Sequence, residues 1–337
     1  MTLPATVTPM THSRHFDVYV ASCTPTGGIY HYKMSGSHLE LAEITPMDRP
    51  MYMVIEEKKM YIVLRAPFED RQSGVVVYDI DDTGKLVNPS DIYPTKGEVA
   101  CHILVDEGHV YCANYISGSL IRLPDMLVQH SGAGVDQSRQ EGPHVHFVGL
   151  TPDKQYICVT DLGLDTIFLY SKDLKLHSSA KVPEGHGVRH LAFSEDGNYL
   201  FAANELKSTV AAFEYQNGNL RLMDICSAVP ADFVGKTTIA AIRVKGNRIY
   251  VSNRGHDSVA ALRFDGCKLE MLNTFACGGQ TPRDFCFAGK YLLCTNQDSN
   301  SMTVLEEENG FRIIESEAVA IPICVCAVMR EEYKKGI

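Results

Sequence analysis

An all-β fold, a seven-bladed β-propeller, is what this sequence predicts, and three observations carry the prediction. A short strand-like phrase rich in Val, Ile and Tyr recurs seven times, no segment keeps a helical period, and one apolar run is left over after the seventh unit. The phrases are FDVYVAS, KKMYIVLR, GHVYCAN, KQYICVTD, NYLFAAN, NRIYVSN and KYLLCTN. Measured from Tyr19, Tyr61, Tyr111, Tyr156, Leu200, Tyr250 and Leu292, the steps are 42, 50, 45, 44, 50 and 42 residues, the length of a four-stranded blade.

Each phrase is followed by a second apolar stretch: GGIYHYKM, GVVVYDI, GSLIRLP, DTIFLYS, STVAAFEY, DSVAALRF and SMTVLEE. Most units add a Gly or Asp turn and a further strand, as in DGCKLEMLNTF, and an apolar run such as RHLAFSEDG comes before the phrase. The chain therefore reads as one domain, residues 1–337, after an N-terminal tail over 1–15. Its blades are expected near 16–46, 50–96, 100–130, 143–184, 187–230, 238–278 and 282–319. The first unit has no apolar run before Phe16 to serve as its innermost strand. IPICVCAVM, residues 321–329, supplies one, so this strand is expected to close the ring against residues 16–43 and leave no exposed edge there.

Composition narrows the function classes. An apolar fraction of 45% in 337 residues excludes wholesale disorder. No window holds 18 uninterrupted apolar residues and the first twenty lack an apolar signal core, so a cytoplasmic protein is expected. Lys and Arg number 31 against 41 Asp and Glu, a net charge of −10 that disfavours nucleic acid and anionic membrane as partners. With no Trp, the W-D repeat propellers are excluded. The 11 cysteines form no C-x-x-C pair and sit mostly in apolar runs (Cys112, Cys158, Cys226, Cys286, Cys294), as reduced core residues do. A closed ring needs no partner, so a monomer is expected.

Propeller topology places candidate residues. Within a blade the start of the innermost strand and the end of the next share one rim. His144 and His146 (blade four), Arg189 and His190 (blade five) and Arg283 (blade seven) stand at such starts. Glu205 and Arg254 reach the same rim from the return strands of blades five and six. Asn114, Asp161 and Gln297 hold the equivalent positions in blades three, four and seven. Arginines, a His pair and a carboxylate at one mouth suit an anion held beside a general acid or base. Taken singly, each has a plainer reading: Arg189 and Glu205 as an ion pair within a blade, His144 and His146 as packed residues. The insertion HSGAGVDQSRQEG, residues 130–142, runs straight into His144 and should line this mouth.

Other motifs fall away. The calcium-loop opening at Asp79, Asp81 and Thr83 has Ser90 at position twelve where Glu is needed. Ser131 to Gly134 lacks the Gly-Lys-Ser/Thr of a phosphate loop, and there is no G-x-S-x-G or H-E-x-x-H. No third and fourth ligand accompany His144 and His146, so neither a metal nor a cofactor is expected.

The motifs P-H-x-H (from Pro143), G-x-R-H (from Gly187), N-E-x-x-S-T-V (from Asn204), N-R-x-H-D-S (from Asn253) and P-R-x-F (from Pro282) follow one another in order. Together they resemble the bacterial propeller lactonases of the 6-phosphogluconolactonase group. The likeness runs from about 97 to 317 and is densest between 138 and 300; Val188 stands where that family often has Pro. It implies an ester hydrolase opening 6-phosphoglucono-1,5-lactone to 6-phosphogluconate in the pentose phosphate pathway, without metal or covalent nucleophile. On that resemblance His146 or Glu205 is the base, and Arg189 and Arg254 bind the oxyanion or substrate anion. His144 and His190 lie beside them, and Arg283 is a candidate for the phosphate, whose geometry a guanidinium fork suits. Related fungal members cyclise carboxymuconate. A non-catalytic binding scaffold would scatter these residues. A metal-dependent gluconolactonase type would gather Asn114, Asp161, Asn204 and Asn253 on the axis.

Overall fold

A computed structural model describes residues 15–308 and 310–330. Of the expected tail only His15 falls within them. The described residues form twenty-nine strands and one turn of 3-10 helix, Glu205–Lys207, arranged as seven sheets in a ring.

Blade one is built from both ends of the chain. β29 (Pro322–Met329) lies innermost, followed by β1 (His15–Ser22), β2 (Gly28–Ser35) and β3 (His38–Pro46). β29 pairs antiparallel with β1 from Phe16 opposite Met329 to Ala21 opposite Cys324, the ring closure the left-over run predicts. Blade three holds β9 (Ala100–Asp106), β10 (His109–Asn114), β11 (Ser119–Arg122) and β12 (Met126–Gln129). Blades four to seven repeat this four-stranded pattern, with inner strands β13 (Val145–Leu150), β17 (Val188–Phe193), β21 (Thr238–Lys245) and β25 (Pro282–Ala288).

Blade two departs from four strands. After β4 (Pro50–Glu56), β5 (Lys59–Leu64) and β6 (Gln72–Ile80), the outer position is shared by β7 (Leu86–Val87) and β8 (Tyr93–Glu98), both paired with β6. Asp81 Oδ1 accepts from the Thr83 and Lys85 amides and folds a tight hairpin, so the aborted calcium motif is a turn. Pro89 and Pro94 lack the N–H a continuous ladder needs, and Ser90 Oγ takes the Val77 amide instead.

The core is divided. Seven apolar clusters fill the seven seams, for instance Val18, Tyr32, Leu293 and Val304 between blades seven and one, and Cys158, Leu169, Leu200 and Phe213 between four and five. Each buried Val, Leu or Phe contributes about 1.5–3 kcal/mol, so the ring is held seam by seam. Two repeat residues now have reasons. The Tyr of the phrase reaches into the next blade: Tyr19 donates to Gly84 O at 2.7 Å and Tyr111 to Lys172 O at 3.2 Å. The closing Asn donates to a hydroxyl five residues on, as in Asn114 to Ser119 (3.1 Å), Asn204 to Thr209 (3.1 Å) and Asn253 to Ser258 (3.3 Å), pinning the turn to the third strand.

Val325 is 2% exposed on the closing strand, and its amide donates to buried Asp284 Oδ2 at 3.2 Å. Val325→Asp would bury a second, uncompensated carboxylate there. It should cost about 3–5 kcal/mol, read as a lowered urea midpoint, whereas Leu176→Ala on an exposed outer strand should stay within about 0.5 kcal/mol of the parent.

Candidate active site

One device, repeated in every blade, builds the centre of the ring. At the start of each inner strand the pairing slips, forming a bulge that re-aims a residue out of the ladder. The residues passed over are Ile323, Met51, Cys101, His146, Arg189, Ala240 with Ala241, and Arg283, for blades one to seven in turn. Apart from the alanines, all of them line a single narrow cavity on the axis. In five blades a residue with positive φ stands two positions earlier: Arg49, Val99, Gly187, Thr281 and Ile321. For β-branched Val99 (φ 53°) and Ile321 (φ 41°) this conformation is strained, at about 1–3 kcal/mol each.

The axial ring has two halves. Ile323, Met51 and Cys101 are apolar or weakly polar; His146, Arg189 and Arg283 carry the chemistry, with small Ala240 leaving room between the two arginines. Arg189 donates Nη1 to Ala240 O at 2.6 Å. Directly after the bulges comes a second ring. Tyr52 and His102 lie 4.2 Å apart between centroids, His102 and Phe147 4.5 Å, and Phe147 and His190 4.9 Å. Arg243 completes it, 2.7 Å from Asp284 Oδ1 and 3.5 Å from His190 Nε2. The cavity enclosed by the two rings measures about 20 Å³, room for one water. Anything larger than a water must therefore sit above it, at the mouth.

Glu205 is the centre of charge at that mouth. It is 4% exposed, and its Oε2 lies 2.9 Å from Arg189 Nε and 3.0 Å from Arg254 Nη2. Arg139 Nη2 meets its Oε1 at 2.5 Å. Burial alone would raise the carboxyl's pKa, but Arg254 and Arg189 outweigh it and hold the group well below the usual carboxylate range. Arg283, half-buried, has only the Gln297 carbonyl at 3.2 Å; among the described residues it has no carboxylate partner. Four guanidiniums thus face one carboxylate in a chain of net charge −10.

The histidines are held neutral. Burial, then Arg189, pushes His146 well below its ordinary value, and burial with Arg243 does the same to His190. His102 is pushed down to about 3 by burial and by Arg243 and Arg189. His146 is 8% exposed, and neither ring nitrogen has a hydrogen-bond partner among the described residues.

Of the ten residues singled out by sequence, six come together here: His146, Glu205, Arg189, Arg254, Arg283 and, through Arg283, Gln297. His190 lies one layer below, against Arg243. His144 is a bracket rather than a ligand: Nδ1 meets Tyr115 O at 3.1 Å, Nε2 meets Glu141 Oε1 at 3.4 Å, and its ring stacks on Tyr115. Asn114 and Asp161 are fully buried away from the cavity. Asn114 is a turn lock, and Asp161 accepts from the His144 amide (2.7 Å) and pairs with His130 (2.6 Å). With Asn204 and Asn253 also spent in turn locks, these four residues do not assemble the axial cluster that a metal-dependent alternative requires. Among the described residues no three His, Cys, Asp or Glu come together in a way that could hold a metal ion.

Arg139, Tyr115, His102, Tyr52, Arg243 and Asp284 were not anticipated. Arg139 comes from the insertion expected to line the mouth. A signal for the others exists: Met51, Cys101, His146 and Ala240 each stand 10 residues before their blade's phrase anchor. That register exposes the pairs Met51–Tyr52 and Cys101–His102 as equivalents of His146–Phe147.

A family model described as Lactonase, 7-bladed beta-propeller, matches residues 17–326. The chain belongs to this family. An uncharacterised protein of Staphylococcus aureus (strain USA300) is 30% identical over 319 residues, covering 86% of this chain and 92% of its own. Among solved structures, a Bacteroides fragilis protein provisionally assigned as a 6-phosphogluconolactonase superposes with TM-score 0.85 at 26% identity, covering 95% of this chain and all (100%) of its own. The periplasmic gluconolactonase of Pseudomonas aeruginosa superposes with TM-score 0.84 at 25% identity over 93% and 99% of the two chains. No helix among the described residues of this lactonase-family chain is long and apolar enough to cross a membrane.

The neutral histidines set an acid limit on stability. Unfolded, each titrates near pH 6.5; folded, His102, His146 and His190 titrate lower. Their contribution is complete above about pH 6.5 and is lost as pH falls toward the folded values, by up to about 1.4 kcal/mol per pH unit for each histidine. Urea midpoints from pH 7 to 5 should fall steeply in the parent, and His190→Phe should flatten that slope by one histidine's share.

Proposed function

We propose that this lactonase-family chain hydrolyses an anionic sugar lactone, 6-phospho-D-glucono-1,5-lactone being the best-fitting substrate. The observation that carries the reading is His146: an imidazole whose buried Nδ1 has no hydrogen-bond partner, next to Arg189 in the axial ring and lining a water-sized cavity. Neutral His146 removes a proton from water as its oxygen attacks the lactone carbonyl. The resulting oxyanion lies against Arg189 and Arg254, and His146 returns the proton to the ring oxygen as the C–O bond breaks. The product is the open-chain hydroxy acid.

Of the two candidate bases, His146 is therefore preferred. Glu205 is ion-paired with three guanidiniums, so its oxygens are already engaged, whereas Nδ1 of His146 has no partner; the Glu205 charge orients Arg139, Arg189 and Arg254 toward the substrate. Arg283, without a carboxylate of its own, is matched to the phosphate. The relatives named for 6-phosphogluconolactone and gluconolactone chemistry support the substrate class. Eleven free thiols support a reducing, cytoplasmic setting, and the ring closure by β29 supports a monomer.

Hydrolysis of glucono-1,5-lactone with and without the 6-phosphate, corrected for spontaneous opening, tests this. His146→Phe should lower kcat about 10²–10⁴-fold. Arg283→Gln should raise KM mainly for the phosphorylated lactone. Activity within twofold of the parent in Arg189→Ala or Glu205→Ala would overturn the site.

A further inference from the structure

Beneath His146 the structure holds a second buried imidazole that the reaction outlined above does not use. His102 follows the bulge of β9, is 7% exposed, and is wedged between Tyr52, Phe147 and His190. The Val148 amide donates to its Nδ1 at 3.5 Å, which makes Nδ1 an acceptor and leaves the ring proton on Nε2. That Nε2 is buried and has no partner, as is Nδ1 of His146, and both residues line the same cavity of about 20 Å³. Leaving two such nitrogens unsatisfied is costly, and one shared ligand would remove that cost. His102 presents an N–H to the cavity, and Nδ1 of His146, with no partner to fix its tautomer, is free to accept. A single water is the ligand that suits such a pair.

We propose that His102 is a further catalytic residue, donating its Nε2–H to the water that His146 deprotonates. This role rests on the hydrolytic reading above and names what orients the nucleophile in it. The water's oxygen accepts from His102 and one of its protons points to His146 Nδ1, so a lone pair is left facing upward, toward a carbonyl at the mouth. As the new C–O bond forms, that proton passes to His146 and then to the ring oxygen whose bond breaks. His102 keeps its own proton throughout, because Arg243 and Arg189 and the apolar walls hold it as a neutral donor. A halide held by Arg189 and Arg283 is the competing occupant of the same cavity.

His102→Phe preserves the aromatic contacts and removes the N–H; His102→Gln returns a donor. Expected for the Phe variant is a fall in kcat of about 10²-fold with KM unchanged, and for Gln a recovery of about tenfold or more. Both variants should show the parent's urea midpoint to within the scatter of a conservative core change. A Phe variant with kcat within threefold of the parent, or a Gln variant no better than Phe, overturns the role. Should His102→Phe fail to fold, ¹⁵N-histidine NMR of the parent decides instead. His102 must be neutral with its proton on Nε2 from pH 8 to 5, and an Nδ1–H tautomer overturns the role. Rising chloride that inhibits the parent while leaving His102→Phe unaffected would assign the cavity to the halide and also overturn it. A parent chain that opens no lactone overturns the hydrolytic reading itself, a result distinct from an active parent matched by His102→Phe.

Discussion

Pairing of β29 with β1 holds everything else in place, because the site is made of strand starts that belong to different blades. Ile323 arrives from the C-terminal end, Met51 and Cys101 from blades two and three, and His146, Arg189 and Arg283 from four, five and seven. No two of these axial residues share a blade, so no local motif could hold them together. Only closure of the ring fixes their spacing. The seven seam clusters then act like wedges in an arch, each transmitting to the axis the angle set by its apolar filling.

Within that ring, electrostatics divides the labour. Four arginines surround Glu205 at the mouth, and their mutual repulsion is relieved by only one carboxylate. The surplus of positive charge lowers Arg283 and Arg189 from their ordinary values, together with burial, and keeps the nearby imidazoles neutral. An anionic substrate would complete the set of charges. Lower down, Arg243 is matched by Asp284 and lies over the Phe285 ring, so the unmatched positive charge is at the mouth. The acidic outer surface and the basic centre are therefore compatible parts of one molecule.

Much of this was legible in the sequence, and the boundary is physical. The repeat phrase carries strand, turn and seam signals at once, so blade number and ring closure could be read from it. Arg189, Glu205, Arg254 and Arg283 could be placed because the topology assigns strand starts and return strands to one rim. Bulges escaped the reading, since an alternation pattern assumes an unbroken ladder. On that assumption His144 and His146 share a face and a role, whereas the slip at His146 sends one to the axis and leaves the other bracing Tyr115. Asn114 and Asp161 had the right rim but the wrong depth, their side chains being consumed by turns. His102 and Tyr52 lacked charge or a motif, and only the ten-residue register would have exposed them.

The bulges also have a consequence for how such a chain can change over time. Each blade presents at the axis a residue skipped by strand pairing. His146, Arg189 and Arg283 stand outside the seam clusters, so replacing one of them alters the chemistry of the channel without emptying a seam, whereas Met51, Cys101 and Ile323 also pack in the seam between blades two and three. Ile323, Met51, Cys101 and Ala240 are, chemically, blank positions beside the three that are written. A propeller of this design can change its axial chemistry by single substitutions, one blade at a time, at a stability cost set by how far each position also fills a seam. Its evolvability is lodged in seven irregular pairs of hydrogen bonds.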